Sequence, residues 1–66
     1  MIITINGTIR ELDQELSITE LLQDLDLPPD GIAVALNGSV VLRKEHPKTI
    51  LQENDTIEII RAVAGG

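Results

Sequence analysis

Leu16-Ser17-Ile18-Thr19-Glu20-Leu21-Leu22-Gln23-Asp24-Leu25 is the stretch on which the fold turns. Ser17 stands where a hydroxyl can accept from the free N–H groups of a first helical turn, and Glu20, three residues on, completes a capping box. Leu16 and Leu21 occupy the two positions of a hydrophobic staple. Ile18, Leu21, Leu22 and Leu25 then recur at i, i+3, i+4 and i+7, which is one face of a helix. Gln23, Asp24 and Asp26 fall on its wet side. Pro28-Pro29 follows, and the residue before a proline is pushed out of the α region. The pattern predicts a helix from Ile18 to Asp26 or Leu27, apolar on one side only.

Outward from this helix the chain reads as strand in both directions. Upstream, Met1, Ile3 and Ile5 share one face, with Ile2 and Thr4 on the other. Asn6-Gly7 is a strong hairpin signal, because a type I′ turn needs positive φ at both central residues. Thr8 to Leu12 is the return, although Ile9 and Leu12 break alternation and predict a bulge or an early end near Glu11. Downstream, Asp30-Gly31 turns into Ile32-Ala33-Val34-Ala35-Leu36, with the larger side chains facing one way and the alanines the other. Asn37-Gly38 makes a second hairpin turn, and Ser39 to Leu42 returns with its parity left open. Arg43 to Ile50 is a polar connection, Glu53-Asn54-Asp55 a turn, and Thr56 onward is a final strand rich in isoleucine.

One apolar helix face can cover only one side of a sheet, so the other side stays largely wet. The isoleucine-rich last strand suits a central place, beside the first strand and parallel to it, the intervening chain forming the crossover. The reading is an α+β fold: a ubiquitin-like β-grasp, a mixed sheet of about five strands packed on one helix. Residues 1–66 form a single domain, with a C-terminal tail protruding from about residue 62. The expected core is Ile3, Ile5, Ile18, Leu21, Leu22, Leu25, Val34, Ile57 and Ile59.

Composition narrows the function classes. At 66 residues the chain lies near the lower limit for folding without staples, and it has neither cysteine nor aromatic side chains, so its core is aliphatic. Eleven acidic against five basic residues give a net charge of −6, which disfavours nucleic acid. The same charge favours a basic protein partner, or simply keeps a small protein soluble. No apolar run approaches a membrane span, and Met1 leads into a strand pattern rather than a signal peptide. The expected location is cytoplasmic.

Few residues are candidates for chemistry. His46, the one histidine, lies in a polar loop beside Pro47 and is expected to be an ordinary surface residue. Capping accounts for Ser17, Asp24 and Asp26 project from opposed sides of the helix, and the glycines at 7, 31 and 38 fall in turns rather than in a phosphate loop. The end of the chain is different. Arg61-Ala62-Val63-Ala64-Gly65-Gly66 loses side-chain bulk toward a terminal glycine, which suits a tail threading a narrow cleft where any Cβ clashes. The bland alternative is frayed chain. On the last strand Glu58, Ile60 and Ala62 share the face opposite to Ile57 and Ile59. Ile60 is therefore expected to face out beside Ala33 or Ile2, in a modest apolar patch rimmed by Glu58 and Arg61 that suits docking. The competing reading is that scattered exposed aliphatics are normal.

These residues together resemble the thiamine-pathway sulfur carrier proteins, the ThiS family, along essentially the whole chain. The signposts are the opening strand with Asn6-Gly7, the Ser17 to Leu25 helix, Leu36-Asn37-Gly38, Arg43, and the closing Arg61 to Gly66. The last six residues are the specific part. The resemblance implies a cosubstrate rather than an enzyme. A ubiquitin-activating-type adenylyltransferase with Mg-ATP is expected to convert the Gly66 carboxylate to an acyl-adenylate. Sulfur from a cysteine desulfurase or another donor then yields the Gly66 thiocarboxylate, and thiazole synthase takes that sulfur. Gly65, Ala64, Val63, Ala62, Arg61 and Ile60 are the implied partner contacts, and the chain itself is implied to bind no cofactor or metal. Two departures stand out: Glu53-Asn54-Asp55 replaces the family's usual Gly-Asp turn, and His46 stands where an aromatic residue is common. The small sulfur-carrier subunit of molybdopterin synthase remains an alternative, as do a plain β-grasp interaction module and a protein-tagging modifier.

Overall fold

The computed structural model describes residues 1–28 and 30–61. The helix α1 runs Ile18–Asp24, and its start follows the sequence signature. Ser17 is the N-cap: its Oγ accepts from the Glu20 N–H at 3.1 Å, while Glu20 Oε1 accepts from the Ser17 N–H at 2.8 Å. The helix stops two or three residues before the predicted end, and the prolines are not what stops it. Asp26 takes a left-handed φ of 58°. Its N–H donates to the Gln23 carbonyl at 3.0 Å, and the Leu27 N–H donates to the Leu22 carbonyl at 2.9 Å. That bond pair is a Schellman closure, with aspartate in the position glycine usually fills. Ser17→Ala is expected to cost about 0.5–2 kcal/mol, read as a lower urea midpoint at unchanged slope.

The strands are β1 Ile2–Ile5, β2 Thr8–Glu11, β3 Ile32–Leu36, β4 Ser39–Val41 and β5 Thr56–Arg61. They form one sheet in the order β2-β1-β5-β3-β4. Only β1 and β5 are parallel, so β5 takes the central place expected of it. Both Asn-Gly pairs make their hairpin turns with positive φ at each residue, 49° and 82° at Asn6-Gly7 and 50° and 87° at Asn37-Gly38. The β1–β2 register runs unbroken from Ile5↔Thr8 to Ile2↔Glu11, so β2 ends early rather than bulging. On β4 the open question of parity resolves with Val41 opposite the buried Val34, and Val40 on the far face. The Glu53-Asn54-Asp55 turn works without glycine because Asn54, one of the few side chains that tolerates it, holds φ at 68°.

The buried core is Ile3, Leu12, Ile18, Leu21, Leu22, Val34, Leu51 and Ile57. Ile5, Leu25 and Ile59, expected inside, are half-buried against its rim. Leu12 and Leu51 are additions. Leu51 is brought in by a single antiparallel bridge, Ser17↔Ile50, in which Ile18 N–H donates to Thr49 O and Leu51 N–H to Leu16 O.

The supposed polar loop also contradicts the sequence reading. Arg43–Lys48 is a 3₁₀ helix packed on α1, and its His46 is 5% exposed rather than an ordinary surface residue. His46 Nε2–H donates to the Val41 carbonyl at 3.1 Å, so the imidazole serves as a flat space-filling ring with one satisfied donor. Among the described residues no helix is long and apolar enough to cross a membrane.

Candidate functional site

β5 is held by neighbours on both edges, and alternation along it separates two faces. Ile57 is fully buried and Ile59 half-buried against the helix side, while Thr56, Glu58 and Ile60 lie on the open side. Ile60 is 61% exposed, as its parity predicts. Its cross-strand partner is Ala33. Ile2 is not beside it, because the parallel register Ile5↔Ile57 sets Ile2 at the opposite end of β5, where its carbonyl accepts from the Asn54 N–H at 2.7 Å. The neighbouring small side chain leaves a shallow, open depression of about 270 Å³ lined by Gly31, Ile32, Ala33 and Ile60.

The open face of the β5-β3-β4 half continues this apolar surface. Val40 pairs with Ala35 and is 74% exposed, and Leu42 just beyond β4 is also exposed. Glu58, opposite Ala35, borders it as expected. Arg61 does not: it pairs with Ile32, whose side chain turns toward the core, so parity places Arg61 on the other side of the sheet. Ala62, Val63, Ala64, Gly65 and Gly66 lie outside the described residues.

Both ends of β5 are fixed by asparagines that the sequence marks only as turn residues. At its start, Asn37 Oδ1 accepts from the Thr56 N–H at 2.9 Å and Asn37 Nδ2 donates to Asp55 Oδ1 at 3.0 Å. Toward its end, Asn6 Oδ1 accepts from the Ile59 N–H at 2.8 Å, and Asn6 Nδ2 donates to the Ile59 carbonyl at 3.4 Å. No local pattern foretells these contacts.

The rest of the described surface offers little chemistry. A cavity between α1 and the 3₁₀ helix has walls of Leu22, Leu27 and Pro47, with Arg43 and His46 at its edge. Arg43 is committed to Asp30 at 2.6 Å and His46 to Val41. Arg10 joins β2 to α1 through Asp24 at 3.1 Å. No three His, Asp or Glu side chains converge as metal ligands among the described residues. What the arrangement offers is a surface suited to docking: an apolar open face lies beside β5, whose last residue is Arg61.

The comparisons with known proteins agree with this geometry. The ThiS family model matches residues 3–66. The chain is 36% identical over 50 residues to the sulfur carrier protein ThiS of Escherichia coli K12, covering 76% of each. It is 33% identical over 66 residues to a thiazole synthase of Magnetococcus marinus, matching with its whole length but spanning only 20% of that protein. Among solved structures, the thiamine biosynthesis protein ThiS of Geobacter metallireducens superposes with a TM-score of 0.86 at 32% identity, over the full length of both chains. With its five-stranded mixed sheet on one helix, its central β5 and this match from Ile3 to Gly66, the chain belongs to the ThiS family of ubiquitin-like sulfur carrier proteins.

Proposed function

We propose that this protein is the sulfur-carrying cosubstrate of thiazole formation in thiamine biosynthesis, with the Gly66 carboxylate as the cargo site. The observation that carries the reading is the placement of β5: a centrally held strand leads directly into Arg61-Ala62-Val63-Ala64-Gly65-Gly66, and the family match extends through that tail. A carboxylate is a poor electrophile until one oxygen becomes a leaving group. The activating partner, a ubiquitin-activating-type adenylyltransferase, supplies this by joining the Gly66 carboxylate to the α-phosphorus of Mg-ATP and releasing pyrophosphate. A persulfide sulfur from a cysteine desulfurase then attacks the acyl carbon, AMP leaves, and a thiol cleaves the resulting acyl disulfide to free the thiocarboxylate. Thiazole synthase accepts the sulfur and returns Gly66 as a carboxylate. The carrier itself needs no base, nucleophile or metal, and its setting is the cytoplasm, where ATP and the donor are found. The likeness to a segment of a thiazole synthase favours the thiamine pathway over the molybdopterin alternative.

The test is intact mass. Incubated with the adenylyltransferase, Mg-ATP and the sulfur donor, the protein gains the difference between one sulfur and one oxygen atom, localised to Gly66. Absence of both adenylate and thiocarboxylate overturns the reading.

Docking is assigned to the open face around Ile60. Ile60→Asp is expected to raise the KM for the adenylyltransferase about tenfold or more, since an apolar contact is lost and a charge is desolvated in its place. Because Ile60 is largely exposed, folding loses only about 1 kcal/mol, the β-propensity difference. Global unfolding of the variant, seen by circular dichroism, contradicts the assignment.

A further inference from the structure

Asn6 does more than turn a hairpin. In the parallel β1–β5 pair the ladder closes with the Asn6 N–H donating to the Ile57 carbonyl at 2.9 Å, after which β1 turns away at Gly7. Ile59 is then left with a peptide N–H and C=O on that edge and no strand beside them. The Asn6 side-chain amide meets both, accepting from the N–H at 2.8 Å and donating to the carbonyl at 3.4 Å. It acts as one more peptide unit added to β1. The left-handed φ of 49° at Asn6 orients the side chain for this, and asparagine is among the few residues that hold such a φ readily.

We infer that Asn6 is a positioning residue for the carrier tail. Its amide carries two-sided support of β5 two residues beyond the last β1 pair, and among the described strands β3 alone pairs with Ile60 and Arg61. Five residues separate Arg61 from the carboxylate of Gly66, a reach of at most about 17 Å when extended. Over so short a reach, the direction in which β5 is held decides how often the carboxyl group arrives in line with its reaction partner. Docking through the open face does not depend on this amide, so its loss falls on turnover rather than on encounter. The role rests on the carrier reading above.

Asn37 supplies an internal control, because it is the same residue in the same turn type, fastened to the opposite end of β5. Asn6→Gly and Asn37→Gly both keep a turn-compatible Gly-Gly pair and both delete a clamp. Amide hydrogen exchange followed by NMR is expected to speed at least about tenfold at Ile59 in Asn6→Gly, and at Thr56 instead in Asn37→Gly. In thiocarboxylate formation with the adenylyltransferase, Mg-ATP and the donor, Asn6→Gly lowers kcat about fivefold at unchanged KM, and Asn37→Gly leaves both near wild type. Asn6→Asp keeps the size, the turn and the acceptor but sets an oxygen against the Ile59 carbonyl, and it falls between wild type and Asn6→Gly in both measurements. Unchanged Ile59 exchange in Asn6→Gly overturns the clamp. Equal kcat losses in the two glycine variants overturn the positioning role and leave a structural one. If the unaltered protein is never adenylated, the carrier reading fails and the positioning role with it, while the exchange result still decides the clamp.

Discussion

Deleting Gly66 is expected to abolish sulfur loading and to leave the fold as stable as before. The expectation follows from the proposed cargo site being the terminal carboxylate and from the core lying in residues 3–57. Among the described residues the buried side chains of the core run from Ile3 to Ile57 and β5 is already paired through Arg61, and a terminal glycine has no side chain to bury. Loading falls below detection rather than merely slowing, since the new end at Gly65 stops one residue short of the reactive position, about 3.5 Å away along an extended chain. Intact mass after incubation with the adenylyltransferase, Mg-ATP and donor reads the first effect, and a urea titration reads the second. A truncated chain that still gains sulfur sends the cargo site elsewhere. Gly65→Val belongs to the same experiment: a branched side chain at the cleft slows loading, again with an unchanged urea midpoint.

The second large effect is on stability. Leu22→Ala is expected to cost about 2–5 kcal/mol, a core truncation that leaves a cavity. Leu22 is 5% exposed, sits on the inner face of α1, and supplies the carbonyl that receives the Leu27 N–H in the helix-ending closure. For a domain of this size that is a large share of the total, because single domains are stable by only about 5–15 kcal/mol. Denaturant unfolding with a matching thermal melt measures it. A loss under about 1 kcal/mol contradicts the placement of α1 against the sheet.

Most of the architecture could be read from the chain because its signals are local. The capping box at Ser17 and Glu20, the two Asn-Gly turns and the alternation of β3 and β5 each span a few residues, and each appears where expected. The misreadings share a different cause. Leu12 lies between Glu11 and Asp13, and Leu51 follows Ile50 in a stretch without periodicity; they become core only because β2 ends at Glu11 and because the Ser17↔Ile50 bridge draws the late connection against the helix start. His46 is inside for the same reason: the 3₁₀ helix folds back on α1, and nothing in Arg43 to Lys48 announces it. At the site, parity on β5 sets Ile60 outward, but it leaves Ala33 and Ile2 both open as its neighbour, since a parallel register has no turn to fix it, and the structure selects Ala33. The Asn6 clamp was illegible because its partner, Ile59, lies at the far end of the sequence.

The parallel pairing of β1 with β5 also bears on the order of events after synthesis. Both hairpins and α1 close over short stretches, but Thr4↔Thr56 and Ile5↔Ile57 join the two ends of the chain. Contacts so distant in sequence are entropically expensive to close and are made late relative to local ones. The strand leading into the tail is therefore fixed only once the remainder is in place. In the carrier role proposed above, an immature or locally melted chain that lacks a seated β5 is expected to be a poor substrate for the activating enzyme, so that ATP goes to finished molecules. Under that proposal, acceptance by the activating enzyme doubles as proofreading of the carrier's own maturation.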